Sequence, residues 1–120
     1  MNGLKEITRT NLELQAQHLL NRFQYEASRQ DAFTMDSAGN IIHPTSGYAV
    51  AYQEAPLTRK GLLGALQLNP ELNLGFWTDE GIQYTDLVQI IKDKETAIKK
   101  GLMYNQLSIY DFSTKEVIWL

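Results

Sequence analysis

Apolar side chains recur at spacings of three and four along the first quarter of the chain, and this period predicts an amphipathic helix over about residues 10–30. Thr10 and Glu13 have the spacing of a capping box, so we expect the helix to begin at Thr10. Leu4 and Ile7 either extend this helix or pack as a preceding turn. The apolar stripe consists of Leu12, Ala16, Leu19, Leu20, Phe23 and Ala27.

After this helix the period shortens to that of β-strands. Turn-forming residues are dense over 36–40, between two apolar runs, and this arrangement predicts a hairpin across residues 32–43. The run 48–53 predicts a strand with alternating faces. One face would carry Ala49 and Ala51, and the other would carry Tyr48, Val50 and Tyr52.

A second, shorter helix is predicted over residues 58–68. Thr58 can cap its start, and Asn69-Pro70 ends it. Gly61 and Gly64 each weaken a helix by roughly 1 kcal/mol relative to alanine. Their presence indicates that this helix packs closely against another element.

The C-terminal stretch, residues 71–120, predicts strand, turn, strand, short helix, strand, turn and strand. Asp93 can cap the third helix, in which Ala97, Ile98 and Leu102 are expected to face inward. Gly101 is either an early left-handed stop or a weak point in that helix. The strands are predicted over residues 74–78, 82–91, 106–112 and 116–120.

This order of elements predicts an α+β fold in a single domain, residues 1–120. It would combine a mostly antiparallel sheet of about five or six strands with a long N-terminal helix and two short helices on one face. The N-terminal helix would occupy residues 1–31, and the α+β body residues 32–120. The last strand, VIWL, is then either central and buried or an exposed edge.

Composition narrows the function classes. The 120 residues include no cysteine, which excludes disulfides, thiolate catalysis and zinc–thiolate sites. The net charge of −3 has the wrong sign for a simple DNA-binding protein, and the C-terminal half holds the excess acid. Without a signal peptide or an apolar run long enough to span a bilayer, we expect a cytoplasmic protein that does not engage a membrane.

Few residues suggest catalysis, and none indicates a cofactor or metal. Asp86 stands mid-strand on an otherwise apolar face, so it is either a functional acid, a solvent-exposed residue, or a partner of Lys60 or Lys92. If Asp86 met Asp111 across the sheet, a hydrolase with paired acids would be conceivable. For Asp111 an Asx turn is the main alternative.

The two histidines add little to this picture. His43 precedes Pro44 at a strand end, and His18 lies at the flank of the first helix. His43 is the only histidine that we keep as a candidate for catalysis, beside the two acids.

Candidate binding residues are aromatic or basic. Strand aromatics can contact a partner or stack on bases, although many such residues are cross-strand pairs. The basic pair opens the second helix, and further lysines at positions 92, 94, 99 and 100 surround the third. The candidates are Tyr48, Tyr52, Trp77, Tyr84, Arg59 and Lys60.

Several segments together resemble small uncharacterised accessory proteins of bacterial phages, plasmids and conjugative elements. The resemblance spans roughly residues 47–120 and is carried by GYAVA at 47–51, GFWTDEG at 75–81, YTDLV at 84–88, Ala97-Ile98 and NQLSIYDF at 105–112. The chain departs from that pattern at Ser108 and at Lys99-Lys100-Gly101. The resemblance implies a mobile-element protein that binds a host or defence protein, and it carries no catalytic residues.

Three functions therefore stand as hypotheses: a non-enzymatic protein-binding module that modulates or inhibits a host or defence protein, a nucleic-acid-binding protein, and a small hydrolase. We favour the first. Self-association is a separate expectation, because a long helix with a narrow apolar stripe and the terminal VIWL strand can each build a homodimer.

Overall fold

The computed structural model describes the backbone of residues 2–120 and the side chains from residue 9 onward. Its three helices and seven strands form an α+β fold, with one or two strands more than the sequence predicts. No helix within the described residues has the length and apolarity needed to cross a bilayer. The elements are α1 Asn2–Ala27, β1 Ala32–Asp36, β2 Ile41–Ile42, β3 Tyr48–Glu54, α2 Arg59–Leu68, β4 Asn73–Asp79, β5 Ile82–Ile91, α3 Lys94–Met103, β6 Ser108–Asp111 and β7 Glu116–Trp119.

The start of α1 corrects the capping-box prediction. The helix begins at Asn2, so Thr10 lies in its interior and Glu13 pairs with Arg9 instead, with 3.2 Å between Nε and Oε1. In a capping box the threonine must occupy the N-cap position, at which the helix begins. Here Leu4 and Ile7 already belong to the helical backbone, as the alternative of an extended helix predicts, while their side chains lie outside the described ones.

All seven strands form one antiparallel sheet in the order β2-β1-β4-β5-β3-β6-β7. The connection over residues 43–47 carries the chain across four strand positions, from β2 to β3. In a flat sheet those positions span about 19 Å, close to the full reach of so short a segment, so the sheet curls. The last strand, β7, lies at the edge of the sheet rather than in its centre.

The larger hydrophobic core lies between α1, α2 and the strands β1, β4 and β5. Phe23 of α1 contacts Phe33 and Phe76 of the sheet, with ring centroids 5.2 and 5.8 Å apart. The predicted α1 stripe is confirmed, because Ala16, Leu19 and Phe23 are buried and the remaining members pack against the same core. The N-terminal helix is therefore docked on the sheet.

A smaller core lies beneath α3, where Ala97 packs against Val50 of β3 and Ile109 of β6. Gly101 is not a left-handed stop, because α3 continues through it to Met103, and a Cβ there would lie 2.6 Å from Leu120 Cδ1 and 3.0 Å from Ile109 Cγ2. The glycine lets α3 approach the sheet closely. The prediction that Leu102 faces inward is wrong: it is exposed, since Gly101 occupies the buried position of that turn.

All three helices cover the same face of the sheet. Buried Leu74, Phe76 and Leu87 contact α1 and α2, and Val50, opposite Gln89 on the neighbouring strand, faces α3 on that same side. Because successive strand residues point to opposite faces, the residues between them form a second face, which we call the outer face. Within residues 2–120, all three helices lie on the other side, and none covers the outer face.

Candidate functional site

The outer face bears a stacked aromatic pair near the tip of the β4–β5 hairpin. Trp77 and Tyr84 are directly opposed in the strand register, and their rings lie 4.5 Å apart at an angle of 18°. Tyr84 is 37% exposed and its neighbour Ile82 56% exposed, so the pair is accessible to a partner. Both aromatic residues are predicted binding candidates, and the structure brings them together.

The turn of this hairpin holds the pair in register. Glu80 and Gly81 form a two-residue connection with positive φ at both positions, 50° and 81°. Such turns match the right-handed twist of the flanking strands and set the pairing of everything that follows. Counting inward from the turn, Asp79 pairs with Ile82, and Trp77 then pairs with Tyr84.

Carboxylates flank the aromatic pair on both sides. Asp79 lies two residues beyond Trp77 on β4, and Asp86 lies two residues beyond Tyr84 on β5, all on the outer face. Glu54 of β3 is directly opposite Asp86. We call Trp77, Tyr84, Ile82 and the carboxylates of Asp79, Asp86 and Glu54 the acidic–aromatic patch.

The environment of Asp86 disfavours its charge. Burial, and secondly the negative charge of Glu54, raise the pKa of Asp86 above its ordinary value. The ion pairs among the described side chains are Arg9–Glu13 and Arg22–Glu26, both within α1. Neither Lys60 nor Lys92 therefore pairs with Asp86, and the facing residue is a second acid.

The structure separates Asp86 from the other suggested catalytic acid. Asp111 is opposite Tyr48, which is itself opposite Ile91, so it lies about five residues, or roughly 17 Å, farther along the sheet and on the helix-covered face. An acid and a base must reach the same substrate. Asp86 and Asp111 cannot work as such a pair.

Asp111 instead organises the β6–β7 turn, as the Asx-turn alternative predicts. Its Oδ1 accepts hydrogen bonds from the Ser113 hydroxyl at 2.8 Å and from the Ser113 amide at 2.9 Å. These bonds, the hydroxyl first, lower the pKa of Asp111. The turn ends with Lys115 at a positive φ of 58°.

The remaining candidates for catalysis or metal binding are scattered. His43 is exposed just beyond β2, three strand positions from β5, the strand that carries Asp86, and His18 is exposed on α1. Among the described side chains, no three histidines or acids converge to hold a metal ion.

The other predicted binding residues do not join the patch. Tyr48 packs against the α3 core, and Tyr52 contacts Tyr104 with 6.0 Å between the centroids of two rings tilted by 51°, both on the helix-covered side. Arg59 and Lys60 are exposed in the first turn of α2. The lysines of α3 likewise belong to the helix-covered side, so they share no surface with the Trp77–Tyr84 stack.

A cleft of about 490 Å³ opens beside α2 on the helix-covered face. Gly64 and Leu68 of the helix border it, and Leu87 and Gln89 of β5 belong to its lining. Tyr52 is the only titratable residue among its lining residues, so the cleft presents no acid–base pair. Its other lining residues carry apolar or neutral polar side chains.

A second exposed apolar region surrounds the sheet edge at β7. Trp119 is 69% exposed, and its strand partner on β6 is Ser108. Leu107, whose carbonyl accepts from the Leu120 amide at 2.9 Å, is also exposed at this edge and was not among the predicted binding residues. Leu102 and Met103 are exposed on α3, which packs on the opposite face of the sheet.

Glu54, Asp79 and Ile82 are the patch members that sequence analysis missed. Asp79 was assigned only to a turn, and Glu54 stood just outside the predicted strand. Comparison with known proteins adds no relative, since no family model, curated protein or solved structure matches this chain.

Proposed function

We propose that this protein is a non-enzymatic protein-binding module that uses the acidic–aromatic patch to hold its partner. The observation that carries the proposal is the Trp77–Tyr84 stack on the face of the sheet that no helix covers. Aromatic side chains of this kind supply large contact areas at low entropic cost and dominate many interfaces. The flanking carboxylates would orient the partner on the patch.

The resemblance of residues 47–120 to accessory proteins of phages, plasmids and conjugative elements supports a more specific proposal. In that setting the partner would be a cytoplasmic host or defence protein whose activity is modulated or inhibited by binding. The patch suits such a role because it is a prearranged surface on paired strands, which loses little conformational freedom on association.

The test is affinity capture from a bacterial lysate with the full chain and two variants. The Trp77→Ser/Tyr84→Ser double variant removes the stack, while Leu68→Ser removes an apolar side chain that is 91% exposed on α2. The proposal expects a stoichiometric partner that is retained by the wild type and by Leu68→Ser and lost by the double variant. A partner captured equally by all three proteins, or no partner from any of a range of hosts, would contradict it.

A homodimer is the second proposal, and β7 supports it. This edge strand has one side without a neighbouring strand, and Val117 and Trp119 are exposed on it. Two copies could pair their β7 strands antiparallel about a twofold axis, which would extend the sheet. The Leu120 amide donates to the Leu107 carbonyl on the β6 side, so by alternation the amides of Val117 and Trp119 point to the free edge. Light scattering at high concentration should report a dimer for the wild type and a monomer for Val117→Pro, which removes a donor from that edge. A monomeric wild type would refute this proposal.

A further inference from the structure

We propose that the acidic–aromatic patch receives an arginine side chain of the partner, with its guanidinium group between the carboxylates of Asp86 and Glu54 and its flat face against Tyr84. This inference rests on the protein-binding function proposed above and names the chemistry of the contact.

Charge complementarity is the first reason. Asp86 and Glu54 are directly opposed on neighbouring strands, and the next strand contributes only Gly75 to that row. Like charges so placed repel each other unless a cation lies between them. The next basic residue along the outer face of β5 is Lys92, six residues and about 20 Å away. The ion pairs among the described side chains involve neither Asp86 nor Glu54, so a cation that neutralises both carboxylates would come from another molecule.

Geometry is the second reason. Side chains opposed in an antiparallel pair have Cβ atoms about 5 Å apart, and Tyr84 lies about 7 Å from Asp86 on the same face. A guanidinium group centred between the carboxylates is thus within cation–π range of the aromatic ring, about 6 Å.

The chain contains its own example of this geometry on α1. Arg22 donates to Glu26 at 3.3 Å while its guanidinium carbon lies 5.7 Å from the Tyr25 ring centroid. The same kinds of group, a guanidinium, an aromatic ring and a carboxylate, would meet in the patch, with a second carboxylate added and the arginine supplied by the partner.

Arginine fits better than lysine or a metal ion. The planar guanidinium group can donate to two carboxylates and stack on an aromatic face at the same time, whereas an ammonium group is a strongly hydrated point charge. A divalent metal ion would need further ligands, and no third acid or histidine converges with this pair among the described side chains. Exposed Ile82 would contact apolar residues beside the arginine, which indicates a protein segment rather than a free cation.

The test titrates the isotopically labelled full chain with capped Val-Arg-Val and follows amide and indole signals by NMR. The matched probes are Val-Lys-Val and Val-citrulline-Val, which keep the length but change or remove the charge. We expect saturable shifts of the Trp77 indole and of amides in residues 54, 75–77 and 84–86 with the arginine peptide. The lysine peptide should bind about five-fold more weakly, and the citrulline peptide should leave these signals unchanged.

Variants assign the contact to the carboxylates. Asp86→Asn and Glu54→Gln should each weaken binding of the arginine peptide by about five-fold. Glu71 is an exposed acid elsewhere on the chain, and Glu71→Gln should not change the affinity. Equal binding of the citrulline peptide, or full binding by Asp86→Asn, would overturn the inference.

Failure of this inference is distinguishable from failure of the proposed function. If a captured partner is lost by the Trp77→Ser/Tyr84→Ser variant but kept by Asp86→Asn and Glu54→Gln, the protein-binding function stands and the arginine assignment is wrong. If a captured partner is lost by all of these variants and kept by Glu71→Gln, both proposals are supported.

Discussion

Trp77 and Tyr84 face each other across the β4–β5 hairpin, with their rings 4.5 Å apart and only 18° from parallel. Stacked cross-strand pairs stabilise the strands that carry them, so this pair has a structural role whether or not a partner is bound. The two roles can be separated, because pair stability is a property of the isolated chain and partner affinity is not.

The stack should contribute a measurable coupling energy. In a double-mutant cycle of Trp77→Ala, Tyr84→Ala and the double variant, denaturant unfolding should give a coupling of about 1 kcal/mol. Additive effects of the two single substitutions would show that the rings lie together without stabilising each other.

Asp86→Asn should stabilise the protein at neutral pH. Because burial and then Glu54 raise the pKa of Asp86, the folded state binds its proton more tightly than the unfolded chain does. The contribution of this carboxyl group to stability is therefore most favourable below its ordinary pKa and falls as pH rises through the raised value. The expected gain is about 0.5 kcal/mol at neutral pH, because solvent screens this half-exposed group.

The sign of this effect can be checked by following the free energy of unfolding against pH. Wild type and Asp86→Asn should differ at neutral pH and converge near about pH 3, where the carboxyl group is protonated in both states. Glu71→Gln serves as the control and should leave the curve nearly unchanged. A less stable Asp86→Asn at neutral pH would mean that Asp86 has a favourable partner that the structure does not show.

The two glycines of α2 should respond oppositely to alanine. A Cβ at Gly64 would meet no atom within 4 Å, so Gly64→Ala should stabilise the helix by roughly 1 kcal/mol. A Cβ at Gly61 would lie 2.7 Å from Pro56 Cβ and 3.0 Å from the Pro56 carbonyl oxygen, so Gly61→Ala should destabilise the protein by about 1 kcal/mol. Chemical denaturation of both variants measures the change in the free energy of unfolding. An increase in stability from both substitutions would rule out the close contact at Pro56.

Removal of the Phe23 ring should show that α1 is an integral part of the fold. Phe23 is fully buried and contacts both Phe33 and Phe76, so Phe23→Ala should cost about 3–5 kcal/mol in the free energy of unfolding. Leu14, on the same helix but 65% exposed, provides the control, and Leu14→Ala should change stability by less than about 0.5 kcal/mol. Equal, small effects of the two substitutions would indicate that α1 is not docked in solution.

Local signals were sufficient for most of the individual elements. The predicted bounds of β5, residues 82–91, are the observed ones, because its strong alternation lies between a turn and a helix cap. Thr58 and Asp93 cap α2 and α3 as predicted, each accepting a hydrogen bond from an amide three residues ahead. These features depend only on neighbours within one turn or strand.

Predictions that needed distant contacts were less successful. Thr10 and Glu13 match a capping box, yet the helical backbone continues through them from Asn2. Leu102 satisfies the helical period of α3, but the close approach of Leu120 and Ile109 gives the buried position to Gly101. In both cases a local sequence pattern gave the wrong prediction because residues outside that pattern determine the observed structure.

The candidate site shows the same division. Trp77 and Tyr84 were selected as strand aromatics, but selection alone could not separate them from Tyr48 and Tyr52, which the curled sheet places on its helix-covered side. Glu54 lies thirty-two positions before Asp86 in the sequence, and only the pairing of β3 with β5 makes them neighbours.

Taken by itself, the sequence determined the α+β class, most element bounds and which residues alternate along each strand, since these follow from spacing within short segments. The tertiary structure decided the strand order, the edge position of β7 and the meeting of two carboxylates beside two aromatic rings. Strands that are distant in sequence pair in the register that buries their apolar side chains beneath the helices. The same register determines which side chains become neighbours on the outer face.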